Sequence, residues 1–181
     1  MNKLLLTSAL VAAFGAAALA PQVARATDGT ININGTITST TCVVNAGSPA
    51  TIAVTLPTIS TTALSTAGQL AGYTKFSISL TKCAASTKAT TYFEQGPNTL
   101  PDGNLLNSGS AGTNVEVRLF NSNQTTQVAL NGAAGSQSSE TITTDATGAG
   151  TLNYWAAYYA NAPVTTAGAV STSVEFTMQY Q

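Results

Sequence analysis

At every second position of the run TDGTININGTITSTTC, which covers residues 27–42, one face of the chain is glycine or isoleucine: Gly29, Ile31, Ile33, Gly35 and Ile37. Between them stand Asp28, Thr30, Asn32, Asn34, Thr36 and Thr38, all polar. A period of two marks a β-strand with one buried face. The pattern recurs along the chain. Ile52, Val54 and Leu56 share a side in TIAVTLP. Phe76, Ile78 and Leu80 oppose Lys75, Ser77 and Ser79, and Val115, Val117 and Leu119 oppose Glu116, Arg118 and Phe120. In TLNYWAAYYA, Tyr154, Ala156 and Tyr158 face away from Trp155, Ala157 and Tyr159. ATTYFEQ and TTQVALNG are shorter candidates. The last run puts Val170, Thr172, Val174, Phe176, Met178 and Tyr180 on one face and continues to the final residues.

Turn-rich pieces separate these runs: NAGSP, GPNTLPDGN, NSGSAGTN, NGAAGS, DATGAG and NAPVTTAG. Their Gly, Asn, Asp, Pro and Ser residues supply positive φ, fixed φ or local side-chain turns. Short strands at this spacing predict an all-β antiparallel sandwich or barrel. Helical signal is confined to a turn or two within residues 60–73, where Leu64 and Leu70 flank a Thr- and Gly-rich middle.

The first 26 residues stand apart. Lys3 precedes a mostly apolar stretch over residues 4–20, and Ala24-Arg25-Ala26 is a small-x-small cleavage site. This reads as a secretory signal peptide, a better match than a membrane anchor, since the run is short and ends in small residues and Pro21. Cleavage after Ala26 leaves 155 residues, enough for one domain. In that mature chain four cations (Lys75, Lys82, Lys88, Arg118) meet seven carboxylates (Asp28, Glu94, Asp102, Glu116, Glu140, Asp145, Glu175), a net charge of −3. No basic patch forms, which argues against a nucleic-acid partner. With so few charges the surface is built of Thr, Ser, Asn, Gln and Ala, as suits a protein in permanent contact with other protein.

Candidate chemistry is scarce. The chain has no histidine, which removes Ser-His-Asp and Cys-His nucleophile arrangements and the commonest transition-metal ligand. No phosphate-cradling Gly-rich motif appears. Glu116 and Glu175 fall on polar strand faces and read as solvated. The sequence therefore predicts no enzyme, no cofactor and no metal site. Cys42 and Cys83 are the only cysteines, and an even count in an exported chain favours one disulfide. Closing a loop of about 42 residues is worth about 4 kcal/mol in the chain-entropy model.

Both ends of the mature chain are thus amphipathic strands, and chain ends usually fray unless tied down. Gly35 interrupts the isoleucine face, and a glycine inside a strand often marks close approach of another backbone. On GTININGTITSTTC, with its Ile-x-Ile-x-Gly-x-Ile order, on LTKC, NYWAAYY and the closing VEFTMQYQ with its penultimate tyrosine, the sequence resembles pilins of the chaperone–usher class. It is most similar to major subunits of type 1-like fimbriae, and the likeness spans the whole chain.

The resemblance implies an immunoglobulin-like sandwich that lacks its last strand and is completed by a donor strand from another subunit. Residues 27–38 would be the donor extension and residues 39–181 the pilin domain. Ile31, Ile33 and Ile37 would bury their side chains in a neighbour, with Gly35 where the groove is shallow. Val174, Phe176, Met178 and Tyr180 would line the groove and be read by a periplasmic chaperone, whose basic residues would hold the Gln181 carboxylate. Cys42 and Cys83 would staple the first two strands. Partners would be related subunits in a head-to-tail polymer, the chaperone and an outer-membrane usher, with the product a fimbrium on the bacterial surface that supports adhesion. Two alternatives stay open at this point: a minor, adaptor or tip pilin, and a free secreted carbohydrate-binding sandwich that uses Trp155 and its neighbouring tyrosines.

Overall fold

The computed structural model describes Asn32 and residues 42–45, 50–109, 113–164 and 166–181. The expected signal peptide and the run carrying Ile31, Ile33, Gly35 and Ile37 lie outside the described residues. Two units divide the chain, Met1–Thr38 and Ser39–Gln181, and the fold below is that of the second alone.

Seven strands are defined among the described residues: β1 (Val43–Val44), β2 (Leu70–Thr81), β3 (Lys88–Phe93), β4 (Val115–Asn121), β5 (Thr141–Thr143), β6 (Gly150–Ala160) and β7 (Phe176–Tyr180). Their pairings are antiparallel. They form a four-stranded sheet in the order β1-β2-β6-β4 and a three-stranded sheet in the order β5-β3-β7. The one helical element among the described residues is a 3₁₀ turn, Thr61–Leu64, begun by the Ser60 hydroxyl accepting from the Thr62 amide.

Period-two patterning decides which side chains enter the core. Ile78 and Leu80 of β2, Leu152, Tyr154 and Ala156 of β6, and Val117 and Leu119 of β4 point inward from the larger sheet. Ala89 and Phe93 of β3 meet them from the smaller one. Tyr154 binds the layers together, edge-on to Phe93 at 5.3 Å and stacked on Phe76 at 5.6 Å between centroids. Leu105, Val128 and Leu130 seal the core from loops, so TTQVALNG contributes buried side chains and a single bridge, Phe120 to Gln127, without forming a strand.

Two glycines mark points where the backbone has no room for a side chain. Gly72, at φ +68, sits where the β2–β6 register shifts, and a Cβ there would meet the Tyr158 ring at 2.9 Å. Gly148, at φ +74, packs on the Cys83 carbonyl, 2.0 Å from where its Cβ would lie. That contact holds the turn before β6 against the disulfide. Cys42 and Cys83 are bonded, with Cα atoms 4.3 Å apart. They tie the chain beside β1 to the end of β2, next to the pairing of Val43 with Thr81.

Two expected strands are incomplete. Residues 50–57 keep their alternation, with Ile52, Val54 and Leu56 half-buried and Thr51, Ala53 and Thr55 exposed, but belong to no ladder. The final run is laddered only over β7, although half-buried and exposed positions alternate from Val170 to Met178. In both places the patterning is that of a strand, and the partner that would make it one is not among the described residues.

Candidate strand-accepting groove

Those two incomplete strands are the rims of one groove of about 1380 Å³. Ile52, Val54 and Leu56 form one rim; Val170, Thr172, Val174, Phe176, Met178 and Tyr180 form the other. The floor is the hydrophobic core itself: Ile78, Phe93, Leu105, Val117, Leu119 and Ala156 all reach it. The core of the sandwich is therefore open along its length, between the two sheets.

The backbone of the second rim is polarised sideways. Lys88 and Gln181 exchange both main-chain bonds, at 3.1 and 2.9 Å, and the Glu94 amide donates to the Glu175 carbonyl at 2.8 Å. Antiparallel ladders alternate the direction of backbone groups residue by residue. The odd residues of β7 thus face β3, and Phe176, Met178 and Tyr180 turn their N–H and C=O groups to the opposite edge. Residues 170–175 continue the arrangement. Ser171 donates its amide to Asn107 Oδ1 and accepts from the Ser108 amide, and the Ser173 carbonyl accepts from Asn98 Nδ2. Across the groove, no backbone hydrogen bond is made by residues 50–57 among the described residues.

An apolar trough beside an edge with outward-facing backbone groups has one natural complement, an extended chain. Such a chain pairs with the edge through its main chain and fills the trough with alternate side chains. Left open, the same edge is an aggregation hazard. Among the described residues, Glu175 is the only charged one on the lining, and it is itself exposed.

Val174, Phe176, Met178 and Tyr180 are brought together on one rim, and burial pushes the Tyr180 phenol above its usual range. Gln181 is exposed at the end of β7, its main chain paired with Lys88. Ile31, Ile33, Gly35 and Ile37 lie outside the described residues. The facing rim of Ile52, Val54 and Leu56 was visible in the sequence only as another strand.

Elsewhere, the reading of Glu116 as solvated is overturned. Glu116 is 8% exposed and Asn104 is 0% exposed. The Asn104 side-chain amide donates to Asp102 Oδ2 at 2.6 Å and to Glu116 Oε2 at 2.7 Å, while its carbonyl accepts from Arg118 Nε at 2.8 Å. Desolvation and the neighbouring Asp102 charge raise the Glu116 carboxyl above its usual value, against the lowering effect of the Asn104 hydrogen bond. The cause is a loop that pairs with the edge of β4 through Leu105 and Val117 and brings Asn104 to Glu116 and Arg118, which period-two reasoning on β4 alone cannot see. Trp155 lies on the outer side of the sheet, its Nε1 donating to the Ser122 carbonyl at 3.2 Å, and Arg118 caps the Tyr159 ring at 3.6 Å.

The fold is that of solved chaperone–usher pilus subunits. The P pilus rod subunit PapA superposes with a TM-score of 0.58 at 19% identity, over 77% of this chain and 99% of that one. A chaperone–usher pilus structure that bears on rod uncoiling gives 0.56 at 21% identity, over 90% of this chain and 100% of that one. The family model for fimbrial protein matches residues 31–181, and the chain belongs to that family. The major fimbrial subunit SMF-1 of Stenotrophomonas maltophilia is 44% identical over 168 residues, 90% of this chain and 98% of that protein. The F17 fimbrial protein of Escherichia coli is 36% identical over 172 residues, 91% of this chain and 94% of that one. The protein is a structural subunit of a surface fimbrium.

Proposed function

We propose that the subunit polymerises by donor-strand exchange, with residues 27–38 of one copy occupying the groove of the next. The observation that carries this reading is the groove: an apolar trough bounded by the outward-turned backbone of β7 and the unpaired segment 50–57. The sequence provides a segment of the required kind, an alternating run with Ile31, Ile33 and Ile37 on one face. Chaperone–pilin complementation is itself a standard example of recognition by strand addition. Three buried isoleucines contribute about 1.5–3 kcal/mol each, and each ladder hydrogen bond adds about 0.5–1.5 kcal/mol. The contact is head-to-tail and does not close on itself, so it propagates as a fibre.

Before assembly the same rim serves a periplasmic chaperone. Val174, Phe176, Met178 and Tyr180 offer side chains, the even-numbered backbone offers hydrogen bonds, and Gln181 presents the terminal carboxylate to a basic site. An outer-membrane usher then exchanges the chaperone strand for the next subunit's extension. The similarity to SMF-1 supports the role of major, rod-forming subunit.

The test is deletion of residues 27–36 from the exported protein, with chaperone capture and fibre formation read in parallel. The expected product is captured by chaperone but cannot cap the subunit ahead of it, and fibres stop growing. Fibres of normal length from the deleted protein would overturn the donor assignment.

A further inference from the structure

We propose that Met178 is an oxidation site that closes the groove: a peroxide reaching the empty groove converts its thioether to the sulfoxide, and the oxidised rim no longer accepts a strand. This rests on the strand-accepting reading above and adds to it a chemical state of the rim.

The chain holds two methionines, Met1 of the expected signal peptide and Met178. Its two cysteines are joined in the disulfide and leave no free thiol. Met178 therefore carries the one thioether of the unit Ser39–Gln181, with no thiol to compete for an oxidant. It stands half-buried on the groove lining with Phe176 and Tyr180. Oxidation turns such a side chain from flexible and apolar to polar and chiral.

Thr91 sets where the oxygen goes. It pairs with Met178 across β3 and β7, is 0% exposed, and donates its Oγ1 hydrogen to the Met178 sulfur at 3.7 Å. A thioether sulfur has two lone pairs. The wall hydroxyl engages one, so oxygen adds at the other. The sulfur lone pair attacks one peroxide oxygen, the O–O bond breaks and an S–O bond forms. The second oxygen takes up the proton of the first and leaves as water. Sulfur loses two electrons and the peroxide gains them.

In the empty groove water solvates the sulfoxide oxygen. Under an entering strand that water is lost. The main chain of the strand is committed to the ladder with β7, and Thr91 bonds the other side of the sulfur. The oxygen is then covered with its hydrogen bond unmade, which is costly for a buried polar group. From that loss, strand entry should fall by about tenfold or more. A strand already seated in the groove shields the sulfur, so oxidation acts on subunits caught with the groove open.

Hydrogen peroxide is the probe, applied separately to freshly refolded dilute subunit and to assembled fibres, with the sulfoxide at Met178 quantified by peptide mass. The subunit should be oxidised about tenfold or more faster than the fibre. With peroxide removed, the oxidised subunit should keep its denaturant midpoint but assemble about tenfold or more slowly. The two methionine sulfoxide reductases, one for each epimer, should restore the rate. Met178→Leu, a volume-conserving exchange, should assemble near the parent rate and be indifferent to peroxide. Oxidised subunit that assembles at the untreated rate would overturn the proposal and leave the strand-accepting reading intact. So would an equal loss of assembly in peroxide-treated Met178→Leu, or a midpoint that falls in parallel with assembly. A Met178 that resists, in the dilute subunit, a dose that oxidises a short methionine peptide would overturn it too. Equal oxidation of Met178 in subunit and fibre would show a rim left uncovered by assembly and would overturn the strand-accepting reading as well.

Discussion

The central ladder of the larger sheet and the rims of the groove are written in the same alphabet and end in different states. Ile78 and Leu152 face each other across β2 and β6, with 0% exposure each. Ile52 and Val174 carry the same kind of side chain at the same period, yet remain half-buried and outside any ladder. The difference lies in the partner, since β2 and β6 meet inside one chain while the rims meet only the gap between them. Alternation specifies a face to bury and leaves open which molecule supplies the cover. A fibre subunit can exploit that freedom, because an unfinished edge that would be a liability in a monomer becomes the site of assembly.

Four perturbations separate the closed region from the open one. The largest effect is expected at the disulfide. Cys42→Ser with Cys83→Ser should lower stability by about 4 kcal/mol from loop closure alone, read as reduced chaperone capture and a lower unfolding midpoint. Next come paired core truncations. Leu152→Ala should cost about 2–5 kcal/mol in monomer and fibre alike. Ile52→Ala should cost less than half of that in the unassembled subunit and approach it only in fibres, where the proposed donor strand would cover the rim. Equal losses for Ile52→Ala in the two states, measured by denaturant unfolding, would erase the distinction between rim and core.

A smaller effect is expected at Glu116. Its folded pKa is raised, so its stabilising contribution is fully present below the unfolded value near 4.5 and is lost as pH rises through the folded value. Glu116→Gln should therefore gain in melting temperature relative to the parent between pH 4.5 and pH 8. A constant difference across that range would show that the buried carboxyl does not titrate as its surroundings dictate. The smallest effect belongs to Tyr154. Its hydroxyl is buried without a hydrogen-bond partner, and burial pushes the phenol up to about 12. Tyr154→Phe should leave stability within about 1 kcal/mol of the parent or raise it, by thermal unfolding.

Much of this fold was legible in the sequence because each long strand carries its own period. β2, β4 and β6 fall where alternation predicts them, and Ile78, Leu119, Leu152 and Tyr154 point inward accordingly. The polar supports were not legible, because each joins distant segments. Gln137 is 1% exposed and pairs with the Phe93 backbone as a strand residue would, accepting from the amide at 2.9 Å and donating to the carbonyl at 2.6 Å. Asn104 reaches Glu116 and Arg118 in the same long-range way. Val174, Phe176, Met178 and Tyr180 were legible as one face and by resemblance as a groove wall. Their facing rim required the three-dimensional arrangement.

Amide hydrogen exchange along residues 174–180, compared between freshly refolded dilute subunit and assembled fibre, addresses the unfinished edge itself. In the subunit the amides of Thr177 and Gln179 should be protected by β3, while those of Val174, Phe176, Met178 and Tyr180 exchange freely; in the fibre all should be slow. Even-numbered amides that are already protected in the dilute subunit, or that still exchange freely in the fibre, would contradict the account.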